Sequence, residues 1–226
     1  MTKTTQDRLV QTLLDRYGTT YARQAGIRLA DRPAPLYQLL VLATLLSARI
    51  SGDIAVSAAR ELFAAGYRTP RAMTAAGWQD RVDALGRGHY RRYDERTATM
   101  LGASADLVLS RWRGDLRRLR DAAAGDAGRL AGLLTEFPGI GPAGADIYLR
   151  EVQAVWPGVA PHLDQRVLDG AAKIGLPRSP GPLHEAATRA IGPSQPERKL
   201  ARLAAALVRV SASDRAAREV TAATKG

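Results

Sequence analysis

Apolar residues recur every three or four positions along almost the whole chain, and no run of alternating β-branched residues reads as a strand. The pattern predicts an all-α fold. Helices are expected near residues 5–17, 35–49, 53–65, 70–76, 78–86, 92–112, 115–123, 127–136, 142–155, 164–174, 181–191 and 195–212. Several carry start signals: Asp53 opens "DIAVSAARELF", Thr69-Pro70 and Ser194 precede helices, and Pro142 suits a first helical turn. The longest apolar run, "LYQLLVLATLLSA" from Leu36 to Ala48, has 13 residues. A bilayer span needs roughly 20, so this run predicts a buried helix. Breaks rich in Pro and Gly at 30–35, 156–162 and 176–182 are short, which predicts two packed lobes and no tethered modules. The central lobe is expected over 34–155, ending in a helix pair at 127–155; 1–33 plus 156–226 form the second, with a cleft between them. The final "AAREVTAATKG" is expected to fray.

Composition narrows the chemistry. An apolar fraction of 46% over 226 residues suits a chain that buries a core. The polar N-terminus lacks the order of a secretory signal, so the expected location is cytoplasmic, at the nucleoid, with no membrane partner. Cysteine is absent, which removes disulfides, thiolate zinc sites, Cys-ligated iron–sulfur clusters and cysteine nucleophiles. His89, His162 and His184 form no paired motif, so neither a metal nor another cofactor is expected. Lys plus Arg exceed Asp plus Glu by 33 to 22, a formal charge of +11, and a polyanion is the leading partner. Only Lys3, Lys173, Lys199 and Lys225 are lysines; the other 29 basic residues are arginines. Arginine pairs phosphate bidentately, although coding composition also favours Arg and Ala together.

The helix pair 127–136 and 142–155 is joined by "FPGIG". Glycines there free successive N–H groups to face an anion at the start of the second helix, where the helix dipole favours negative charge. The plain alternative is an αα-hairpin whose glycines only end a helix. The motif is longer than Gly-x-Gly, however. "LLTEFPGIGPAGADIYL" resembles the helix-hairpin-helix of the endonuclease III superfamily of DNA base-excision glycosylases, whose hairpin reads Leu/Phe-Pro-Gly-Val/Ile-Gly. That family places an essential Asp some two dozen residues later, and Asp164 in "HLDQRVLDGAAKIGL" stands 23 residues after Gly141. "LLVLATLLSARIS" is also similar to the family's buried helix, which ends in Leu-Leu-Ser-Ala-Gln. The resemblance covers roughly residues 35–176 and implies a two-lobed helical glycosylase fold acting as a monomer on double-stranded DNA that contains a lesion. Reach is consistent: a helix over 142–155 travels about 20 Å, and the segment 156–163 spans up to about 25 Å, enough to bring Asp164 back beside the hairpin. Asp164 equally suits the N-cap of the helix it begins.

Excising a base passes through a cation-like sugar, which a carboxylate stabilises while it activates water. The resemblance assigns that role to Asp164. Strand-cutting members carry a Lys two residues after the second hairpin glycine, which forms a Schiff base with the sugar. Ala143 stands there. The chain therefore resembles the monofunctional branch, without efficient lyase activity, or a member that has lost catalysis and only binds damaged or bent duplex. The family's C-terminal cluster of four cysteines is missing too. The apolar face of "ERKLARLAAALVRVSA" is expected to hold that lobe instead.

Expected DNA contacts are Gly139, Ile140, Gly141 and Ala143 at the hairpin, and Arg49, at the position of the family's stack-filling glutamine or simply at a helix C-terminus. The loop "GRGHYRRYDER" adds His89, Tyr90, Arg91 and Arg92, since interleaved aromatic and basic residues suit stacking and phosphate contact. The plain reading is a solvated basic loop with one buried tyrosine. Trp78, Trp112 and Trp156 are expected in the core; Trp156 is a weaker pocket candidate, and His162 a loop histidine or a contact to DNA.

Overall fold

The structure, a computed structural model, describes residues 2–192, 194 and 196–223. The described residues are helical and contain no strand. In chain order the helices are α1 (Lys3–Tyr17), α2 (Tyr21–Gln24), α3 (Pro33–Leu46), α4 (Gly52–Ala64), α5 (Pro70–Ala75), α6 (Trp78–Arg87) and α7 (Asp94–Trp112). They continue with α8 (Arg117–Ala122), α9 (Ala127–Thr135), α10 (Pro142–Val152), α11 (Gln165–Lys173), α12 (Pro180–Ile191), α13 (Pro196–Ala212) and α14 (Asp214–Ala222), and a 3-10 turn covers Pro157–Val159. None of the described helices is long and apolar enough to cross a membrane. The chain divides into two compact units: Tyr21–Leu149, and Met1–Thr20 with Arg150–Gly226. Residues 21–33 thus belong with the central segment and 150–155 with the terminal ones.

The central unit is built on α3. Leu36, Tyr37 and every residue from Leu39 to Leu45 are buried, so this helix is apolar on all sides because it meets protein on all sides. Capping places its neighbours: Ser51, not Asp53, caps α4 by accepting the Ile54 amide at 3.3 Å, and Thr69 caps α5 by accepting the Ala72 amide at 3.2 Å. Arg81 is buried without a carboxylate. Its guanidinium donates to the carbonyls of Ala98, Met73 and Ala76 at 2.9, 3.0 and 2.7 Å, joining α5, α6 and α7. Trp112 and Trp156 are buried, but Trp78 is not: at 43% exposed it lies on the surface, where its indole N–H donates to Thr99 Oγ1 from α6 to α7 at 3.1 Å.

The terminal unit packs α1, α11, α12, α13 and α14 around one apolar cluster that includes Leu9, Leu13, Val167, Leu183, Leu203, Leu207 and Val220. A Cβ on Gly170 would run into the Leu207 carbonyl, so α11 and α13 touch backbone to backbone only because that position is glycine. The expected fraying of the tail is corrected here. Residues from 214 form α14, capped by Ser213 and anchored by buried Ala216, Ala217 and Val220; residues 224–226 and Lys225 lie outside the described residues.

Candidate nucleic-acid interface and carboxylate site

The hairpin follows from where each glycine is needed. Asp126 caps α9, and after Glu136 the chain turns through Ile140 N–H to Phe137 O at 3.0 Å. Gly139 sits at φ +87°, and a Cβ there would lie 3.0 Å from both Met100 Sδ and Thr44 Cγ2. Glycine is favoured by the backbone conformation, and a Cβ would also crowd the Thr44 and Met100 side chains of α3 and α7. Gly141 differs: a Cβ there meets nothing within 4 Å. The first bond of α10 is Ala145 N–H to Gly141 O at 2.9 Å. Pro142 has no N–H, and the amides of Gly141, Ala143 and Gly144 take no backbone acceptor among the described residues. Gly141, Pro142 and Ala143 are exposed. Ile140 departs from expectation, since its side chain is buried and its amide is already used by Phe137, so neither is offered to DNA.

The loop between α6 and α7 splits its residues between core and surface. A Cβ on Gly88 would strike the backbone of Ala58 in α4, so the glycine serves close packing. The left-handed residue that closes the helix end then falls on His89, at φ +64°, with its amide donating to Gly86 O and the Tyr90 amide to Leu85 O, both at 3.0 Å. His89 is thereby held on the surface. Tyr90 is corrected: it is 0% exposed, its hydroxyl donates to Leu45 O at 3.4 Å, and burial pushes its phenol pKa up. It anchors the loop and is not free to stack on a base. Tyr93 is half-buried, under the Arg92 guanidinium at 5.3 Å. Arg91, Arg92 and Arg96 are exposed and unpaired with any described carboxylate, whereas Arg87 pairs with Glu61 at 3.2 Å. Arg49 is exposed and likewise free of an ion pair. It stands beyond the end of α3, which stops at Leu46 rather than at 49.

In the terminal unit, Asp164 caps α11: Oδ1 accepts the amides of Arg166 and Val167 at 2.8 and 3.3 Å. Oδ2 takes Arg150 Nη1 at 2.6 Å, and the two side chains are only 7% and 8% exposed. Gln153, fully buried, fixes the approach to this carboxylate. Its amide donates to Arg150 O and His162 O at 2.9 and 3.3 Å, and its carbonyl oxygen accepts the His162 amide at 3.0 Å. His162 is thus held by its backbone, and Trp156 is a core residue.

Arg150 and Gln153 escaped sequence reasoning because an arginine near the end of an amphipathic helix reads as a solvated C-terminal charge, and only the return of the chain at 162–164 shows that it faces inward. The arrangement offers two separate capabilities: an exposed anion-receptive turn flanked in its own unit by free arginines, and a buried, hydrogen-bonded carboxylate in the other unit. Compared with known proteins, the chain matches no family model and no curated protein.

Proposed function

We propose that the protein is a DNA base-excision glycosylase of the monofunctional kind. The observation that carries the reading is the exposed Gly141-Pro142-Ala143 turn, where backbone amides without acceptors open a helix in a strongly basic chain. A DNA phosphate binds there without a basic side chain, and Arg49, Arg91 and Arg92 add phosphate contacts. Asp164 stabilises positive charge at C1′ as the bond from sugar to base breaks; water adds its oxygen to C1′, and the base leaves with a proton. The two lysines away from the chain ends are already engaged: Lys173 is bound to Ser211 O and Asp214 at 2.7 and 2.9 Å, and Lys199 to Ile191 O and Ser194 Oγ at 2.5 and 3.0 Å.

Incubation with duplexes carrying alkylated, deaminated, oxidised or mismatched bases, followed by alkali, tests this. The expected result is strand scission at one lesion class, lost in Asp164→Asn, with no borohydride-trapped adduct. No scission on any substrate, or undiminished activity in Asp164→Asn, sinks the reading. One observation favours a second: both oxygens of Asp164 already have partners, as they would in a helix cap and buried ion pair. On that reading the protein recognises bent or damaged duplex without turnover, and the same panel gives binding but no scission.

A further inference from the structure

Three contacts in register set α5 and the start of α6 alongside α7. Trp78 donates to Thr99 Oγ1 at 3.1 Å, Thr74 Oγ1 donates to Asp106 Oδ1 at 2.9 Å, and Arg71 shares a pocket with Leu109 and Arg113. The order Trp78, Thr74, Arg71 thus runs against Thr99, Asp106 and the 109–113 end of α7, and the contacts form one strip. Helical spacing puts Thr99, Ala103 and Asp106 on one face of α7, and all three are exposed, as are Thr74, Trp78 and Arg71. From Thr99 to the pocket the strip runs about 15–21 Å at a rise of about 1.5 Å per residue. An extended chain at about 3.3 Å per residue covers that with about five or six residues.

The two ends differ in chemistry. At one, Trp78 is the exposed large apolar side chain among the described residues, and exposed Glu95, one helical turn before Thr99 on the same face, pairs with no described cation. An indole face beside a carboxylate suits a guanidinium or an ammonium group. At the other end, Leu109, Arg71 and Arg113 line an open pocket of about 480 Å³, and neither arginine pairs with a described carboxylate. Arg113 closes α7 at φ +53°, a left-handed position that favours glycine, so an arginine is kept there against backbone preference.

A duplex does not suit this strip, because its phosphates would meet the carboxylates of Glu95 and Asp106 on the way to the arginines. A peptide does. Leu109 and both guanidiniums share one pocket, so what fills it must carry an apolar side chain and a carboxylate on the same residue. The last residue of a protein chain has both; an internal aspartate or glutamate does not. We infer that the strip is a docking site for the C-terminal tail of a partner protein. The apolar last residue lies against Leu109, its carboxylate meets Arg71 and Arg113, and a basic side chain about five or six residues earlier covers Trp78 beside Glu95. The inference goes beyond duplex binding and stands independently of the proposed function.

Anisotropy of fluorescent heptapeptide pools titrated with the full chain tests it. Each pool ends in Leu, Val or Phe, begins with Arg or Lys, and is randomised between. A pool with a free C-terminus should bind about tenfold more tightly than the same pool amidated, the effect of one charge-assisted contact. Arg113→Gly, which relieves the left-handed position and so keeps the fold, and Arg71→Gln should each erase that preference. Trp78→Ala should weaken binding severalfold and remove the advantage of a basic over a neutral first residue. All three should leave helicity and duplex affinity as in the parent. No binding by any free-carboxylate pool, equal binding of amidated pools, or unchanged binding in Arg113→Gly and Arg71→Gln overturns the inference and leaves the proposed function standing. Loss of duplex affinity in those two variants also overturns it, by assigning the arginines to DNA.

Discussion

At the scale of single residues, glycines in one motif do different work, and substitution separates them. Gly139→Ala places a Cβ at φ +87°, about 1–2 kcal/mol of backbone strain, and also against Met100 and Thr44. A lowered thermal midpoint is expected. Gly141→Ala has room and an ordinary backbone, so its stability should stay within about 0.5 kcal/mol of the parent, while the added methyl crowds the amides and weakens duplex binding. Equal loss of stability in both would contradict this division of labour. Arg150 carries the other residue-scale prediction. Removing one partner of a buried pair leaves the other charge uncompensated, about 3–5 kcal/mol, so denaturant unfolding of Arg150→Ala should show a loss of that order, with Arg150→Lys between it and the parent. A loss below about 1 kcal/mol, the range of exposed pairs, would show that the pair is solvated.

Among the elements, α14 is the one whose attachment depends most openly on charge. Hydrogen bonding from Lys173 holds the Asp214 carboxyl below its ordinary pKa, and hydrogen bonds first from Tyr17 and then from Arg215 do the same for Glu219. Because both values are depressed in the folded chain, the stabilisation is present above the unfolded carboxylate range, about pH 4, and is lost as pH falls through it toward the folded values. Protection factors of the α14 amides, taken against the intrinsic exchange rate at each pH, should fall on acidification from pH 6 to pH 3 before those of α3, which carries no carboxyl group. Simultaneous loss of protection in α3 and α14 would assign no special role to these contacts.

For the whole molecule, a charge of +11 overstates what faces a ligand. Arg81 is buried and joins three helices through carbonyls, Arg202, though exposed, donates to Gly18 O and Leu14 O, and Arg209 to Tyr17 O and Ala205 O; these guanidiniums are engaged by backbone carbonyls of the chain itself. On the proposed reading, the arginines available to DNA are exposed ones with neither a described acid nor a carbonyl partner, including Arg49, Arg91, Arg92 and Arg96. Each phosphate contact contributes about 0.9 to the slope of log K against log salt. Arg91→Gln with Arg92→Gln should therefore flatten that slope by up to about 2, while Arg202→Gln should lower stability and leave the slope unchanged. A flatter slope in Arg202→Gln would place that residue on the binding surface instead.

Helical periodicity, capping residues and breakers determined the all-α class and most element positions, because each is a local property of the backbone. Thr69 and Pro142 mark helix starts by their own side chains, and the apolar run at 36–48 announces its burial by having no polar face. The tail was misread for the opposite reason: "AAREVTAATKG" is weakly apolar, and α14 is stable only through Ala216, Ala217 and Val220 packed in the terminal unit and through Lys173 and Tyr17, which are distant in sequence. The same limit applies at the candidate sites. The helix pair on either side of 136–141 and the place of Asp164 at the start of α11 were legible, but the burial of Tyr90 and Ile140, the exposure of Trp78 and the pairing of Arg150 with Asp164 were not. Burial and pairing depend on which surfaces from distant segments meet, and that was decided only by the tertiary structure.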